Sequence, residues 1–185
     1  MFKINLPLNQ LSSLLTEYRC PEGLREYTLA SLKLKPANDK RINVRNSRAV
    51  GWKFTEPGNI FATACLVDYE SERPGLFKGT RNLTEIVLVY VRPEWQNQNL
   101  GRTITRNTYE SLIQSNAEWI RILCCTSQMD KVVRKTILTT NQGYELYEDS
   151  VRRDYWIKNP DFKQVKMQRP SSQPSNIIQF PFAQV

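Results

Sequence analysis

A strand, a short polar loop and a helix follow one another directly at residues 83–112, LTEIVLVYVRPEWQNQNLGRTITRNTYESL. Residues 86–91 are β-branched, aromatic or leucine, and Pro93 ends the run, which is typical of a strand buried on both faces. The loop at residues 96–99 is polar. From residue 100 onwards apolar or partly apolar side chains recur every four positions, which predicts a helix. They are Leu100, Ile104, Thr108 and Leu112, with Tyr109 and Ile113 beside them.

The start of this helix is predicted to bind an anion. Backbone N–H groups in the first turn of a helix have no intrahelical acceptor, and the aligned peptide dipoles place roughly half a positive charge there. A phosphate or pyrophosphate group is the usual ligand of such a site. The alternative interpretation is a loop that merely connects the two elements.

The residues of the loop are more specific than its geometry. VRPEWQNQNLGR resembles motif A of the GNAT superfamily of N-acetyltransferases, in which a strand ending in V-x-P-E precedes a pyrophosphate loop Q/R-x-x-G-x-G/A. Gln96 fills the first position of that loop, Asn99 replaces its first glycine, and Gly101 fills its last position. Asparagine tolerates a left-handed backbone best after glycine, so we expect the loop to keep its shape. The resemblance implies an acetyl-CoA-dependent N-acetyltransferase.

The resemblance also implies where acetyl-CoA, the cosubstrate, is bound. The pantetheine arm is expected to lie beside a splayed strand and to meet the backbone of Val89, Tyr90 and Val91. The pyrophosphate is expected at the loop and the helix start, with Arg102 adding positive charge. These residues are Gln96, Asn97, Gln98, Asn99, Gly101, Arg102 and Thr103.

Glu85 is the candidate catalytic residue, because it lies eleven residues before Gln96, where many of these enzymes carry a general base. An alkyl amine with a pKa of about 10.4 is almost fully protonated at pH 7, and only its neutral form attacks a thioester. Positioned proton removal accelerates such reactions by about a hundredfold to ten-thousandfold. Glu85 would act directly or through a water molecule. The alternative is an ordinary surface carboxylate at the start of a strand.

The general acid that the resemblance implies is missing. Thr139 stands where many members carry a tyrosine, and Val132 stands where they carry an asparagine. Tyr144, Tyr147 and Tyr155 are possible substitutes, although tyrosines in such a hairpin are commonly packing residues. Transfer without an acid is feasible, since a thiolate with a pKa of about 8.5 is a tolerable leaving group and approximation alone supplies several kcal/mol.

The remaining patterns complete an α/β fold with a GNAT-like mixed, mostly antiparallel central sheet flanked by helices. Predicted strands lie at residues 2–6, 49–56, 59–69, 119–126, 144–150 and 152–158, and predicted helices at residues 8–18, from Pro21, and from Ser127, which forms a capping box with Asp130. Residues 1–158 would form the acetyltransferase-like domain. Residues 159–185 form a Pro/Ser-containing C-terminal tail, whose apolar end either docks or stays disordered.

The composition narrows the functional classes. The chain has 185 residues, of which 40% are hydrophobic and 24% charged, as in soluble globular proteins. Its longest apolar run is far shorter than the roughly 20 residues of a membrane span, so we expect a cytoplasmic protein that does not engage membranes. The sequence contains no histidine, which excludes Ser-His-Asp and Cys-His catalysis and argues against a catalytic metal. Cys124 and Cys125 are adjacent, which suits packed thiols better than a disulfide.

Positive charge concentrates at residues 33–48, within a formal net charge of +8. This segment indicates an anionic partner such as RNA, or else a solvated basic loop. The acceptor amine itself is not encoded in the motif. Two other functions remain open: a catalytically degenerate acyl-CoA-binding sensor or scaffold, and a basic RNA-binding module without a cofactor.

Overall fold

The computed structural model describes residues 1–32, 42–55, 58–71, 79, 81–114, 117–124, 126–139 and 145–162. Several predictions concern other residues. Outside the described residues lie Tyr144, a predicted substitute acid, and Cys125. Residues 33–41, which are the larger part of the basic segment, and the tail from residue 163 also lie outside them.

Seven strands and four helices make up the described chain. In order they are β1 (Phe2–Leu6), α1 (Leu8–Glu17), α2 (Glu22–Leu32), β2 (Ile42–Lys53), β3 (Ala62–Ser71), β4 (Arg81–Val91), α3 (Leu100–Ile113), β5 (Trp119–Leu123), α4 (Ser127–Val133), β6 (Leu146–Asp149) and β7 (Asp154–Lys158). A 3-10 turn at Pro93–Trp95 precedes α3, and α4 continues into a π-helical turn at Arg134–Leu138.

The strands form one sheet in the order β1-β2-β3-β4-β5-β7-β6. Every neighbouring pair is antiparallel except β4 and β5, which run parallel. The parallel pair follows from the chain path, because α3 carries the chain across the sheet between these two strands. The predicted mixed, mostly antiparallel sheet is confirmed.

Helices cover both faces of the sheet. Leu11 and Leu15 of α1 pack with Trp156 and the inner side chains of β3 and β4 in one cluster. Tyr109 of α3 and Val133 of α4 pack against the opposite face with Ile86 and other residues. Strand β4 therefore lies at the centre of the sheet with both faces buried, as its continuous apolar sequence predicts.

A β-bulge interrupts the central strand at Val87. Cys65 of β3 faces Leu88 and Leu66 faces Ile86, so Val87 is an extra residue in β4. Leu83 before the bulge, Val87 at the bulge and Leu88 after it belong to the same core cluster. An extra residue reverses the alternation of side chains and bends the strand.

Two local predictions are corrected. Strand β2 begins at Ile42 and not at the predicted residue 49, so its first half lies in the basic segment at residues 33–48, for which a loop was one of the two interpretations. Residues 42–48 pair antiparallel with residues 66–71 of β3, and the ion pairs Arg45–Glu70 and Arg48–Asp68 join the same two strands.

Helix α4 is capped by Thr126, one residue before the predicted Ser127. The Thr126 hydroxyl accepts a hydrogen bond from the Met129 N–H at 3.1 Å, whereas Ser127 is the first helical residue. The described helices also include none long and apolar enough to cross a bilayer.

The predicted domain boundary at residue 158 falls next to a buried residue. Asn159, which we assigned to the tail, is only 2% exposed. Its side-chain amide donates to the carbonyls of Ile113 and Ala117, both at 2.9 Å. Asn159 therefore fastens the end of β7 to the connection between α3 and β5.

Candidate functional site

The two parallel strands separate beyond the β-bulge. Their pairing runs from Leu83 with Trp119 to Ile86 with Ile122 and stops there, although β4 continues to Val91. The bulge at Val87 lies directly after the last pair, which gives the separation a structural cause. A V-shaped opening therefore forms between β4 and β5 in the middle of the sheet.

A cleft of about 450 Å³ occupies this opening and the space around it. Arg19 and Leu24 line it from the connection between α1 and α2 and from α2, on one face of the sheet. Gly101 and Met129 line it from α3 and α4 on the other face. A smaller hollow of about 40 Å³ beside it is lined by Val87 among other residues of the closed end of the V. Residues from both faces of the sheet thus line the opening.

Six of the predicted cosubstrate residues line the cleft. They are Val89, Tyr90, Val91, Gln96, Asn97 and Gly101. The other four, Gln98, Asn99, Arg102 and Thr103, lie in the same loop and first helical turn without lining it. The structure therefore brings the strand backbone and the helix start together.

The polar loop takes its shape from two asparagines. Asn97 and Asn99 have φ angles of 64° and 58°, in the left-handed region, as predicted for Asn99. Asn99 precedes the first residue of α3, and its carbonyl accepts the first helical hydrogen bond, from the Thr103 N–H at 3.1 Å. The N–H groups of Leu100, Gly101 and Arg102 precede that first bond and are therefore suited to an external anion.

Gly101 has open space in front of it. A Cβ atom added there would meet only Val91 Cγ2, at 3.9 Å, which is an ordinary van der Waals contact. The packing of the protein therefore does not require glycine at this position. Glycine weakens a helix relative to alanine, and at this position it leaves the backbone of the helix start open toward the cleft.

Two predicted ligand side chains make bonds within the protein. The Gln96 side-chain amide donates to the Val91 carbonyl at 2.8 Å, which ties the loop to the end of β4. Arg102 lies 3.4 Å from the Lys135 carbonyl of the π-helical turn. Both side chains are therefore engaged within the protein, and Gly101 is the residue of the helix start that lines the cleft.

The tyrosine of the cleft wall fixes the connection between α1 and α2. The Tyr90 hydroxyl lies 3.1 Å from the Tyr18 carbonyl and 3.0 Å from the Arg19 carbonyl, and can donate to either. Arg19 has a φ angle of 55° and ends α1 in a Schellman motif, with the Cys20 N–H donating to the Leu15 carbonyl at 2.9 Å. Tyr90 therefore joins the strand that lines the cleft to the turn on the other face.

We expect Tyr90→Phe to destabilise the protein by about 1 kcal/mol, because the Tyr18 and Arg19 carbonyls lose a buried donor. Urea unfolding measures the loss. Tyr147→Phe, at a residue 40% exposed, is the control and should cost less. Equal losses in the two variants would show that the Tyr90 hydroxyl does not hold the turn.

Glu85, the candidate base, is buried in an ionic network. It is 8% exposed, and its Oε2 accepts from Arg121 Nη1 at 3.0 Å and from the Tyr69 hydroxyl at 3.3 Å. Arg121 also donates to both oxygens of Asp154, from Nε at 3.0 Å and from Nη2 at 3.1 Å. The Arg121 guanidinium lies 5.0 Å from the centre of the Trp156 ring. Glu85 is thus not the exposed surface carboxylate of the alternative interpretation.

The environment of Glu85 favours its protonated form. Burial raises the pKa of Glu85, and the nearby Asp154 raises it further, while Arg121 and Tyr69 oppose this shift. Glu85 precedes Ile86, the last β4 residue paired with β5, so it lies at the closed end of the V. It does not line the cleft itself.

The substitute acids are engaged elsewhere or exposed. The Tyr155 hydroxyl donates to Asp130 in a short hydrogen bond, and burial raises the pKa of Tyr155. Tyr147 lies on the edge strand β6, and the Thr139 hydroxyl donates to the Lys135 carbonyl at 2.9 Å. None of these three lines the cleft, although Val132 does.

Sequence reasoning missed the partners of Glu85. The only signal was a charged residue inside an apolar strand, Arg121 in WIRIL, which required a buried counterion. Nothing local indicated that Asp154 and Tyr69 would meet it. The basic segment also offers less free positive charge than its sequence suggests, because Arg45 and Arg48 are paired with carboxylates.

No model of a protein family and no curated protein sequence matches the chain. Several solved protein structures are similar to this chain. A variant of the AtaT toxin bound to the C-terminus of the antitoxin AtaR and acetyl-CoA has 11% identity and a TM-score of 0.53, over 90% of this chain and 98% of that chain. AtaT complexed with acetyl-methionyl-tRNAfMet has 10% identity and a TM-score of 0.52, over 85% of this chain and 94% of that one. AtaTR bound with acetyl-CoA also has 10% identity and a TM-score of 0.52, over 87% of this chain and 94% of that chain.

These likenesses establish the fold. The described chain has the GNAT-like fold, a mixed and mostly antiparallel sheet with helices on both faces, as the resemblance implied.

Proposed function

We propose that this protein is an N-acetyltransferase that binds acetyl-CoA in the opening between β4 and β5 and transfers its acetyl group to an acceptor amine by direct attack. The observation that carries the proposal is that a splayed pair of central strands and the N-terminus of α3 meet in one cleft. The fold that it shares with the AtaT structures, which contain acetyl-CoA, supports it.

The cleft offers two kinds of contact to acetyl-CoA. Residues 87–91 extend beyond the last pair with β5, so their backbone is positioned to bond the amides of a pantetheine arm as a further strand would. The N–H groups of Leu100, Gly101 and Arg102 would hold the pyrophosphate, aided by the helix dipole. Gly101 leaves the space in front of these groups open.

The chemistry needs a neutral amine beside the thioester. Glu85, directly or through water, would remove a proton from the acceptor ammonium. The amine nitrogen then attacks the thioester carbonyl, the carbon–sulfur bond breaks, and coenzyme A leaves as the thiolate. The second proton of the attacking nitrogen passes to water or to that thiolate, which leaves a neutral amide. A thiolate with a pKa of about 8.5 departs without an acid near neutral pH, which suits a cleft that Thr139, Tyr147 and Tyr155 do not line.

For the acceptor, we propose the α-amine of an aminoacyl-tRNA ahead of a small-molecule or protein amine. AtaT, which shares the fold, has been solved with acetyl-methionyl-tRNAfMet, and the net charge of +8 suits a polyanion. An α-amine has a pKa near 8, so it depends less on a strong base than an alkyl amine does. The contact would have to come mainly from cations other than Arg45 and Arg48, since those two are ion-paired.

A second candidate function is acyl-CoA binding without turnover, as in a sensor or scaffold. The observation that favours it is the engagement of Glu85 by Arg121 and Tyr69. The third possibility, an RNA-binding module without a cofactor, gains no support from the described contacts.

Calorimetric titration of the wild type with acetyl-CoA tests the proposal first. Binding followed by acetyl transfer to an aminoacyl-tRNA or another amine, with a loss of ten-fold or more in rate for Glu85→Gln, would support the transferase. Binding with no turnover, and no effect of Glu85→Gln, would favour the sensor. An absence of binding would reject both functions.

Gly101→Ala should separate stability from affinity. Alanine favours the helix by up to about 1 kcal/mol, and the added Cβ fits the protein, so urea unfolding should show equal or greater stability. Acetyl-CoA affinity, measured by calorimetry, should fall about tenfold because the methyl group occupies the space before the helix N–H groups. A variant that gains stability and keeps full affinity would contradict the proposed position of the pyrophosphate.

A further inference from the structure

Two buried carboxylates share one guanidinium beneath the cleft. Asp154 is 3% exposed and Glu85 is 8% exposed, and both bond to Arg121. The sharing is unequal. Asp154 takes two of the three bonds in the manner of a bidentate pair, and Glu85 takes one.

We propose that Asp154 is a positioning residue for Glu85: it engages two donor groups of Arg121, leaves Glu85 a single guanidinium bond, and so keeps the Glu85 carboxylate able to accept a proton. This inference rests on the proposed function, in which Glu85 is the base. Its basis is the geometry of three side chains from β4, β5 and β7.

The strand order produces the arrangement. Arg121 of β5 lies between β4 and β7, facing Glu85 on one side and Trp156 on the other. The bidentate bond with Asp154 and the Trp156 ring 5.0 Å away hold the guanidinium plane toward β7. Without Asp154, the freed Nε and Nη2 groups would turn to the nearest remaining carboxylate, which is Glu85.

Three polar groups of the described chain act on Glu85. Tyr69 contributes a hydroxyl from β3, Arg121 a positive charge from β5, and Asp154 a negative charge from β7. The helical layer over this face contributes apolar side chains such as Leu11 and Leu15. Among the described residues that bond to Arg121, one positive charge thus meets two carboxylates, and a proton that Glu85 accepts neutralises one of them.

The same unequal sharing explains how a buried, arginine-bound glutamate can serve as a base. A bidentate arginine partner lowers the pKa of a carboxylate by about one to three units, which would make it a poor proton acceptor near neutral pH. With the guanidinium committed to Asp154, burial dominates instead and the pKa of Glu85 is raised.

Carbon-detected NMR titration of glutamate side-chain carboxyls tests the proposal without any acceptor. Glu85→Gln assigns the Glu85 signal. In the wild type the midpoint of Glu85 should lie above the ordinary glutamate value, and Asp154→Asn should lower that midpoint by about one pH unit, a tenfold loss of proton affinity. Asp68→Asn is the matched control, since Asp68 pairs with Arg48 on the same sheet and does not contact Glu85; it should leave the midpoint in place.

An unchanged or raised midpoint in Asp154→Asn would overturn the proposal. Asp154 would then have only a structural role, in which its bonds to Arg121 join β5 to β7. If that variant does not fold, the wild-type midpoint decides, because a value below the ordinary range would contradict the proposal by itself. Acetyl-CoA binding is measured separately on wild type and Asp154→Asn, and equal affinities are expected because Asp154 does not line the cleft. If the wild type does not bind acetyl-CoA, the proposed transferase function is rejected. The NMR titration still tests whether Asp154 sets the midpoint of Glu85.

Discussion

Gly101→Glu is expected to abolish acetyl-CoA binding, with a loss of at least about a hundredfold in affinity. The substitution puts a carboxylate in the open space before the first turn of α3, where the pyrophosphate would lie. Like charges a few ångströms apart in a partly enclosed cleft repel by several kcal/mol. The fold should not suffer, since a glutamate in the first helical turn interacts favourably with the helix dipole. Calorimetry gives the affinity and urea unfolding the stability.

Asn107→Glu provides the control for charge. Asn107 is exposed on the same helix, and the variant changes the net charge by the same amount. It should bind acetyl-CoA within about twofold of the wild type, because surface charges separated by a Debye length of about 10 Å are largely screened. Comparable losses in the two variants would point to a general electrostatic effect and against a pyrophosphate site at Gly101.

Arg121→Met should lower the free energy of unfolding by about 3 to 5 kcal/mol at pH 7.5. The change leaves Glu85 and Asp154 buried without their shared cation, and an uncompensated buried charge is among the costliest defects in a core. Methionine retains much of the packing of the arginine stem, so the loss reports mainly on charge.

The loss should shrink as the pH falls. Burial raises the pKa of Glu85, and removal of Arg121 removes the main influence that opposes this shift. A carboxyl whose pKa is higher in the folded than in the unfolded state contributes most below its unfolded value, and that contribution disappears as the pH rises through its folded value. The variant should therefore recover part of its stability between pH 7.5 and pH 5, as urea unfolding at both values would show.

Arg134→Met is the matched control for this prediction. Arg134 also bonds two carboxylates, Asp130 and Glu148, and lies 5.5 Å from the centre of the Tyr155 ring, but its side chain is 43% exposed. Its removal should cost only a small fraction of the loss seen for Arg121. Similar losses would mean that packing, rather than buried charge, determines the effect.

The sequence was sufficient for the parts of the site that local interactions determine. The apolar run predicted β4, the fourfold spacing predicted α3 from Leu100, and the tolerance of asparagine predicted the left-handed Asn99. Each depends on residues adjacent in the chain or one helical turn apart.

The parts that were missed depend on distant residues or on equivalent local choices. Arg121 lies 36 positions after Glu85, and Asp154 another 33 positions on, so only the strand order brings them together. Thr126 and Ser127 are both good caps, and only the register of α4 selects the threonine. We predicted the start of β2 at residue 49, which is too late. Its first half contains charged residues that pair with carboxylates on β3, and a search for alternating apolar residues does not detect such a strand.

The opening between β4 and β5 originates in the number of residues in β4, which has one more than the facing part of β3, and not in the chemistry of a particular side chain. A β4 shortened by this one residue would pair continuously with β3, and every side chain beyond it would exchange faces. No particular side chain is required for the bulge; what is required is one more residue in β4 than in the facing part of β3. A feature encoded in this way can persist while the identity of nearly every residue changes. The opening therefore depends on the number of residues in β4 relative to β3 at this point.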